Sequence, residues 1–171
     1  SNETTLLKIT NAYCSFVNGG KKIKPTLITR IQNRRGKTIF NHEKRNCIGC
    51  EVLKLNENFV PEIKNDKEQI ISEETAFQMT SILEGVVKRG TGKKLKSLNA
   101  PIAGKTGTTN NNFDAWFIGF TSNLAIGVYI GFDEPKSLGK FETGSKAALP
   151  IFKNFIEEAK FSIELITENE S

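Results

Sequence analysis

Between positions 101 and 132 the chain passes through three extended segments joined by two short polar links, and no other feature restricts its folding so strongly. Residues 101–109 have no helical apolar period and are rich in small and β-branched side chains, the composition of a strand. Asn110-Asn111-Asn112 is a turn-forming run that leads into residues 114–120, and Thr121-Ser122-Asn123 turns the chain again into residues 124–132. Links this short leave each strand only its sequence neighbour to pair with, so the segment is expected to form an antiparallel meander.

Inside the first strand stands Lys105-Thr106-Gly107-Thr108-Thr109. Strand alternation puts Thr106 and Thr108 on one face and Lys105 and Gly107 on the other. Two hydroxyls and a nearby ammonium can together hold a carboxylate through charge-assisted hydrogen bonds, each about twice as strong as a neutral one. Gly107, without a side chain, permits the close approach of a second backbone, as a peptide adding to a strand edge requires.

The rest of the chain supplies helices for the sheet to pack against. A helix over residues 5–17 places Leu6, Ile9, Tyr13, Phe16 and Val17 on one face and stops at Asn18-Gly19-Gly20. A second, over 73–89, has Ser72 as its cap, Glu73 and Glu74 in its first turn, and an apolar stripe of Ala76, Met79, Leu83, Val86 and Val87. A last helix, at about 146–160, is expected to turn Ile151, Phe152, Phe155, Ile156 and Ala159 inward, with Pro150 starting or bending it. In the region 25–70, residues 27–31 and 37–40 flank Asn33-Arg34-Arg35-Gly36 as a hairpin. These elements make an α+β fold, an antiparallel sheet packed with helices. The 171 residues, 37% of them apolar, suffice for one domain with a core.

The stretch 103–109, followed by Asp114-Ala115-Trp116-Phe117-Ile118-Gly119-Phe120, resembles the transpeptidase domain of class A high-molecular-weight penicillin-binding proteins of the 1A type. Glu84-Gly85-Val86-Val87-Lys88-Arg89-Gly90-Thr91-Gly92 and residues 7–20 extend the resemblance upstream, and Gly127 to Asp133 with Pro150-Ile151-Phe152 extend it downstream. The resemblance implies a partial β-lactamase/transpeptidase-like serine acyltransferase fold in which residues 1–171 are the C-terminal portion of the domain, with Ser1-Asn2 a cloning scar. It also implies D-Ala-D-Ala transpeptidation in peptidoglycan cross-linking, inhibition by β-lactams, and a place on the extracytoplasmic, periplasmic face of the bacterial inner membrane. Lys105, Thr106, Gly107 and Thr108 would bind substrate, and the Thr108 backbone N–H would donate to the oxyanion. Peptidoglycan stem peptides and β-lactams are the implied partners, and no cofactor or metal is expected.

The family's serine nucleophile, in S-x-x-K on a helix ahead of the K-T-G strand, has no counterpart here. Ser137-Leu138-Gly139-Lys140 matches as a string, but it follows the strand and contains a glycine that resists helix formation, so Ser137 reads as a loop residue. Ser97-Leu98-Asn99 matches S-x-N, but only six positions before Lys105 as a connector. The chain alone is therefore expected to be inactive, and apolar surface shaped for the missing half would favour self-association. A noncatalytic peptide-binding or scaffold module is the alternative. A nucleotide-binding loop is not expected: Asn99 stands where the first glycine of G-x-x-x-x-G-K-[ST] belongs, and residues 107–112 resist opening a helix.

Net charge is +5, with Lys88, Arg89, Lys93, Lys94 and Lys96 clustered, but no aromatic residues alternate with them as base stacking would need. The longest apolar run, 124–132, is far short of the roughly 20 residues that span a bilayer. Cys47-Ile48-Gly49-Cys50 lacks the further ligands of a zinc site, with only Cys14 in reserve; a local disulfide and free thiols both remain open. His42, the single histidine, has no evident partner as a base. Asp114 suits the fixing of the turn as well as it suits catalysis.

Overall fold

The computed structural model of the protein describes residues 4–42, 47, 48, 50, 62, 63 and 67–168. It divides into two compact units, Lys22–Gln69 and a larger one made of Ser1–Lys21 with Ile70–Ser171. In chain order the elements are α1 (Leu6–Val17), β1 (Arg30–Gln32), β2 (Thr38–Asn41), β3 (Cys47–Ile48), β4 (Glu62–Ile63), α2 (Glu73–Arg89), a 3₁₀ helix (Lys93–Leu98), β5 (Ala103–Thr108), a short 3₁₀ turn (Asn110–Asn112), β6 (Asp114–Phe120), β7 (Ala125–Gly131) and α3 (Ala148–Glu168).

The smaller unit holds two antiparallel ladders, β1 with β2 and β3 with β4. The first is the hairpin about Asn33–Gly36, closed by Asn33 N–H to Lys37 O at 2.9 Å and by a Gly36 in the left-handed region. Leu27 and Ile28, read as strand residues, lie outside β1, and Leu27 is fully exposed. Most of the remaining 25–70 region, with the side chain of Cys47, lies outside the described residues, as do Ser1 and Asn2. Cys50 is disulfide-bonded and Cys14 is free.

In the larger unit the meander forms as a three-stranded sheet in the order β5-β6-β7. The register is regular: Thr106 lies opposite Phe117, which lies opposite Val128. Paired residues share a face, so Thr106, Thr108, Ala115, Phe117 and Val128 look one way. That face is covered by α3 through an edge-to-face contact of Phe117 with Phe152, centroids 4.9 Å apart. The opposite face meets α1, whose Tyr13 ring stands 6.4 Å from that of Phe120. α2 lies along β5 and contributes Leu83 and Val87 to the core.

The Ser72 cap is the one the sequence specifies, whereas Thr5, read as the first residue of the helix, is the cap of α1. The Thr5 and Ser72 hydroxyls accept the N–H groups of Lys8 and Thr75, and α2 carries Glu73 and Glu74 at its positive end and Lys88 and Arg89 at its negative end. Two other readings change. The stretch around Ser97 is a 3₁₀ helix rather than a loop; it buries Leu95 and Leu98 and ends at Asn99 in the left-handed conformation. In α3, Phe152 and Ile156 face the sheet, but Ile151 and Phe155 are about half exposed. α3 begins at Ala148, two residues later than expected, with Pro150 in its first turn, where a missing N–H leaves no hydrogen bond unmade.

Phe152 and Phe155 therefore separate the two faces of α3. Phe152→Ala should cost about 3–5 kcal/mol in denaturant unfolding, whereas Phe155→Ala should cost under about 1 kcal/mol.

Candidate functional site

β5 is an edge strand, with β6 on one side and no strand on the other among the described residues. Its burial falls along its length. Ala103 and Gly104 are buried, Thr106 and Gly107 are partly covered, and Lys105 and Thr108 are exposed. The accessible half of the edge is thus the Lys105-Thr106-Gly107-Thr108 segment, and an open edge of this kind presents backbone groups to an extended chain.

Each hydroxyl already has a partner that the sequence did not announce. Thr106 Oγ1 lies 2.8 Å from Thr91 Oγ1, in the turn between α2 and the 3₁₀ helix. Thr108 Oγ1 accepts the N–H of Gly144, in the segment before α3, at 3.0 Å. Gly144 can sit there because it has no side chain: a Cβ would lie 2.4 Å from both Gly107 O and Trp116 O. Lys105 projects to the face opposite the hydroxyls, yet its Nζ donates back to Thr106 O at 2.7 Å, and no carboxylate among the described residues pairs with it. The ammonium's charge is held beside the strand. Gly107 faces Trp116, with a Cβ there reaching 3.1 Å from the Trp116 Cβ, so packing also favours glycine at this position.

The turn after β5 is fixed by local bonds. Asn111 and Asn112 have φ of 60° and 55°, values asparagine tolerates, and the Asp114 N–H donates to Thr109 Oγ1 at 2.8 Å. The Asp114 carboxylate accepts from the Tyr129 hydroxyl at 2.9 Å, which raises the Tyr129 pKa above its ordinary value by favouring the protonated phenol. Asp114 therefore ties β6 to β7 at the turn. Residues 137–140 pack on the same turn: Ser137 Oγ donates to Asn111 O at 3.0 Å, and Asn112 Nδ2 donates to Gly139 O and Lys140 O.

Ser137 is an exposed loop residue, bonded to backbone and far from any helical lysine geometry. The serines in described helices are Ser15, Ser81 and Ser162 in α-helices and Ser97 in the 3₁₀ helix, and the residues three further on are Asn18, Glu84, Leu165 and Ala100. None forms S-x-x-K. The strand continues extended through Thr108 and is followed by a three-residue 3₁₀ turn, Asn110–Asn112, broken by a left-handed Asn111, not by the α-helix that a phosphate-binding loop demands after Gly104-Lys105-Thr106. Burial pushes the Cys14 thiol up, away from the thiolate that nucleophilic or metal chemistry uses.

Thr91 and Gly144 are the site residues that sequence reading missed. Thr91 stands between Gly90 and Gly92, and this spacing was the available signal for a tightly folded turn. The contact of Gly144 spans 36 positions and leaves no local trace.

Helices on both faces of an antiparallel sheet, with a K-T-G edge strand, are the arrangement of a transpeptidase-like domain. The family described as penicillin binding protein transpeptidase domain matches residues 2–157, and the chain belongs to it. It is 45% identical to penicillin-binding protein 1A of Rickettsia typhi over 159 residues, covering 92% of this chain and 20% of that protein. Against penicillin-binding protein 1A of Pseudomonas aeruginosa the identity is 33%, over 89% of this chain and 22% of the relative. The crystal structure of penicillin-binding protein 1A from Haemophilus influenzae superposes with a TM-score of 0.71 at 29% identity, covering 91% of this chain and 26% of that one. The chain thus spans about a fifth of the length of the curated relatives it matches.

Because the seat of Gly144 leaves no room for a methyl group, Gly144→Ala should push the 143–147 segment away from β5 and cost about 1–3 kcal/mol by thermal unfolding. A melting temperature equal to that of the parent would contradict this packing.

Proposed function

We propose that this chain is the carboxylate-binding part of a serine D-Ala-D-Ala transpeptidase that cross-links peptidoglycan stem peptides and is acylated by β-lactams. The observation that carries the reading is the exposed end of β5, where an open strand edge brings together two hydroxyls and one ammonium. Membership of the transpeptidase family supports it. An extended peptide ending in a carboxylate would lie along β5, with its terminal charge received by the Thr106 and Thr108 hydroxyls beside Lys105 and close backbone approach permitted at Gly107.

The chemistry follows from what such a seat can do. A carboxylate only accepts hydrogen bonds, so it needs donors. Thr108 already accepts the Gly144 N–H, which leaves its own hydrogen free to be donated. Holding the carboxylate fixes the position of the scissile carbonyl along the strand, and the Thr108 N–H would donate to the oxygen that gains charge as the serine attacks. Such a donor is worth about 10²–10³ in rate. The serine nucleophile and the second oxyanion donor, its own amide, would come from elsewhere in the polypeptide. We place this activity on the extracytoplasmic face of the inner membrane, where its substrate lies; no described helix is long and apolar enough to cross a membrane.

The test is β-lactam acylation in a full-length transpeptidase containing this segment. Thr106→Val and Lys105→Ala should each slow acylation by about 10- to 150-fold, the equivalent of one charged hydrogen bond of about 1.5–3 kcal/mol, with little change in melting temperature. Thr121→Val, beyond the opposite end of the β5–β6 ladder, is the control and should have little effect. Undiminished acylation in both motif variants would refute the assignment.

A further inference from the structure

We infer that Thr91 is a positioning residue that orients the Thr106 hydroxyl as a hydrogen-bond donor toward the carboxylate of the bound ligand. The inference rests on the reading of β5 as a carboxylate seat and adds a residue from a different element to it. Thr91 Oγ1 and Thr106 Oγ1 are 2.8 Å apart, and by geometry alone either can donate to the other. Chemistry removes that ambiguity once an anion arrives. An ionised carboxylate takes hydrogens and gives none, so Thr106 must direct its own hydrogen outward. Its lone pair then accepts from Thr91. The pair becomes a directed chain, Thr91 O–H to Thr106 O–H to carboxylate, in which each bond polarises and strengthens the next.

The neighbouring hydroxyl sets the precedent. Gly144 N–H is a donor only, so Thr108 is committed to accept from it and to present its hydrogen elsewhere. Thr91 does for Thr106 what the Gly144 amide does for Thr108, with the difference that a hydroxyl partner can reverse direction when the seat is vacant. The two residues of the seat are thus supported from separate parts of the chain, one from the turn after α2 and one from the segment before α3.

The turn that carries Thr91 is built to hold it in place. The N–H groups of Gly90 and Gly92 both donate to Val86 O, each at 3.0 Å, so the chain folds back on the last turn of α2. A Cβ at Gly90 would stand 3.0 Å from the Val86 backbone, and one at Gly92 would stand 3.2 Å from Val86 O. Thr91, between them, is the one residue of the three with a side chain, and it is exposed on the side where Thr106 meets it. Among the described residues, the Thr91 hydroxyl has Thr106 Oγ1 as its hydrogen-bond partner and none in α2.

The experiment is a comparison of acylation rates in the full-length transpeptidase, using benzylpenicillin and its carboxylate methyl ester as probes. Thr91→Val should slow acylation by benzylpenicillin about 3- to 10-fold, the worth of one neutral hydrogen bond. Thr91→Ser, which keeps the hydroxyl, should restore the rate. The methyl ester, whose neutral carbonyl accepts a weaker hydrogen bond, should show a smaller dependence on Thr91 than the acid, and in a Thr106→Val background the Thr91→Val change should have no further effect. Thr91→Ala is read in parallel, so that a packing fault in the valine variant does not decide the outcome. Slowing by Thr106→Val but by neither Thr91 variant overturns this inference and leaves the carboxylate seat standing. Equal slowing of acid and ester, or additive loss in the double variant, assigns Thr91 a role other than orienting Thr106 and also overturns it. No slowing by Thr106→Val overturns the seat itself, and the inference with it.

Discussion

The contact of Phe117 with Phe152 holds the larger unit in register, and the candidate site depends on it. Both rings are fully buried, and they close over Gly119, where a Cβ would lie 2.7 Å from Phe117 and 2.8 Å from Phe152. Gly119 pairs with Gly104 across the β5–β6 ladder, and a Cβ on Gly104 would likewise fall within 2.8 Å of the Phe117 ring. Two opposed glycines therefore make a shallow place in the sheet that the aromatic pair fills. This seats α3 at one position on the sheet. The N-terminus of α3 follows, with Leu149 buried and its N–H bonded to Gly144 O at 2.9 Å, which brings the Gly144 amide to Thr108. A packing constraint in the core is in this way transmitted to the hydroxyl of a site at the surface.

The site itself is a problem of donor supply at an edge. A strand edge offers backbone groups to an incoming chain, but a carboxylate needs hydrogens aimed at it, and threonine hydroxyls rotate. The structure limits that freedom by giving each hydroxyl a partner on its far side, Gly144 N–H for Thr108 and Thr91 for Thr106. Lys105 adds charge without crowding the hydroxyl face, because it leaves from the opposite face and returns to the Thr106 carbonyl. In the proposed seat the Gly144 N–H commits the Thr108 hydroxyl in advance to donate elsewhere, which would lower the reorganisation needed when charge arrives.

The meander was legible because its signals are local. Residues 101–132 alternate and break at polar runs, and the strands observed lie within one or two residues of those expected. The cap at Ser72 was equally readable, since N-capping depends on a side chain within three residues of the helix end. The alternation that sets Thr106 and Thr108 against Lys105 and Gly107 was also visible, as a property of any strand. The meander also specified the order β5-β6-β7, but not whether a further strand would flank the motif strand. Nor were the partners of the two hydroxyls legible, since Thr91 and Gly144 reach the motif across 15 and 36 positions through tertiary packing. Phe155 was misassigned to the core because apolar periodicity cannot tell which part of a broad apolar stripe meets the sheet; Phe152 occupies that place.

The most direct test of this account is a crystal structure of the full-length transpeptidase acylated by a penicillin. The account predicts the drug's carboxylate within hydrogen-bonding reach, roughly 2.5–3.0 Å, of both Thr106 Oγ1 and Thr108 Oγ1, with Gly144 N–H still on Thr108. A carboxylate bound elsewhere, with neither hydroxyl within about 4 Å of it, would contradict the claim that β5 is the carboxylate seat.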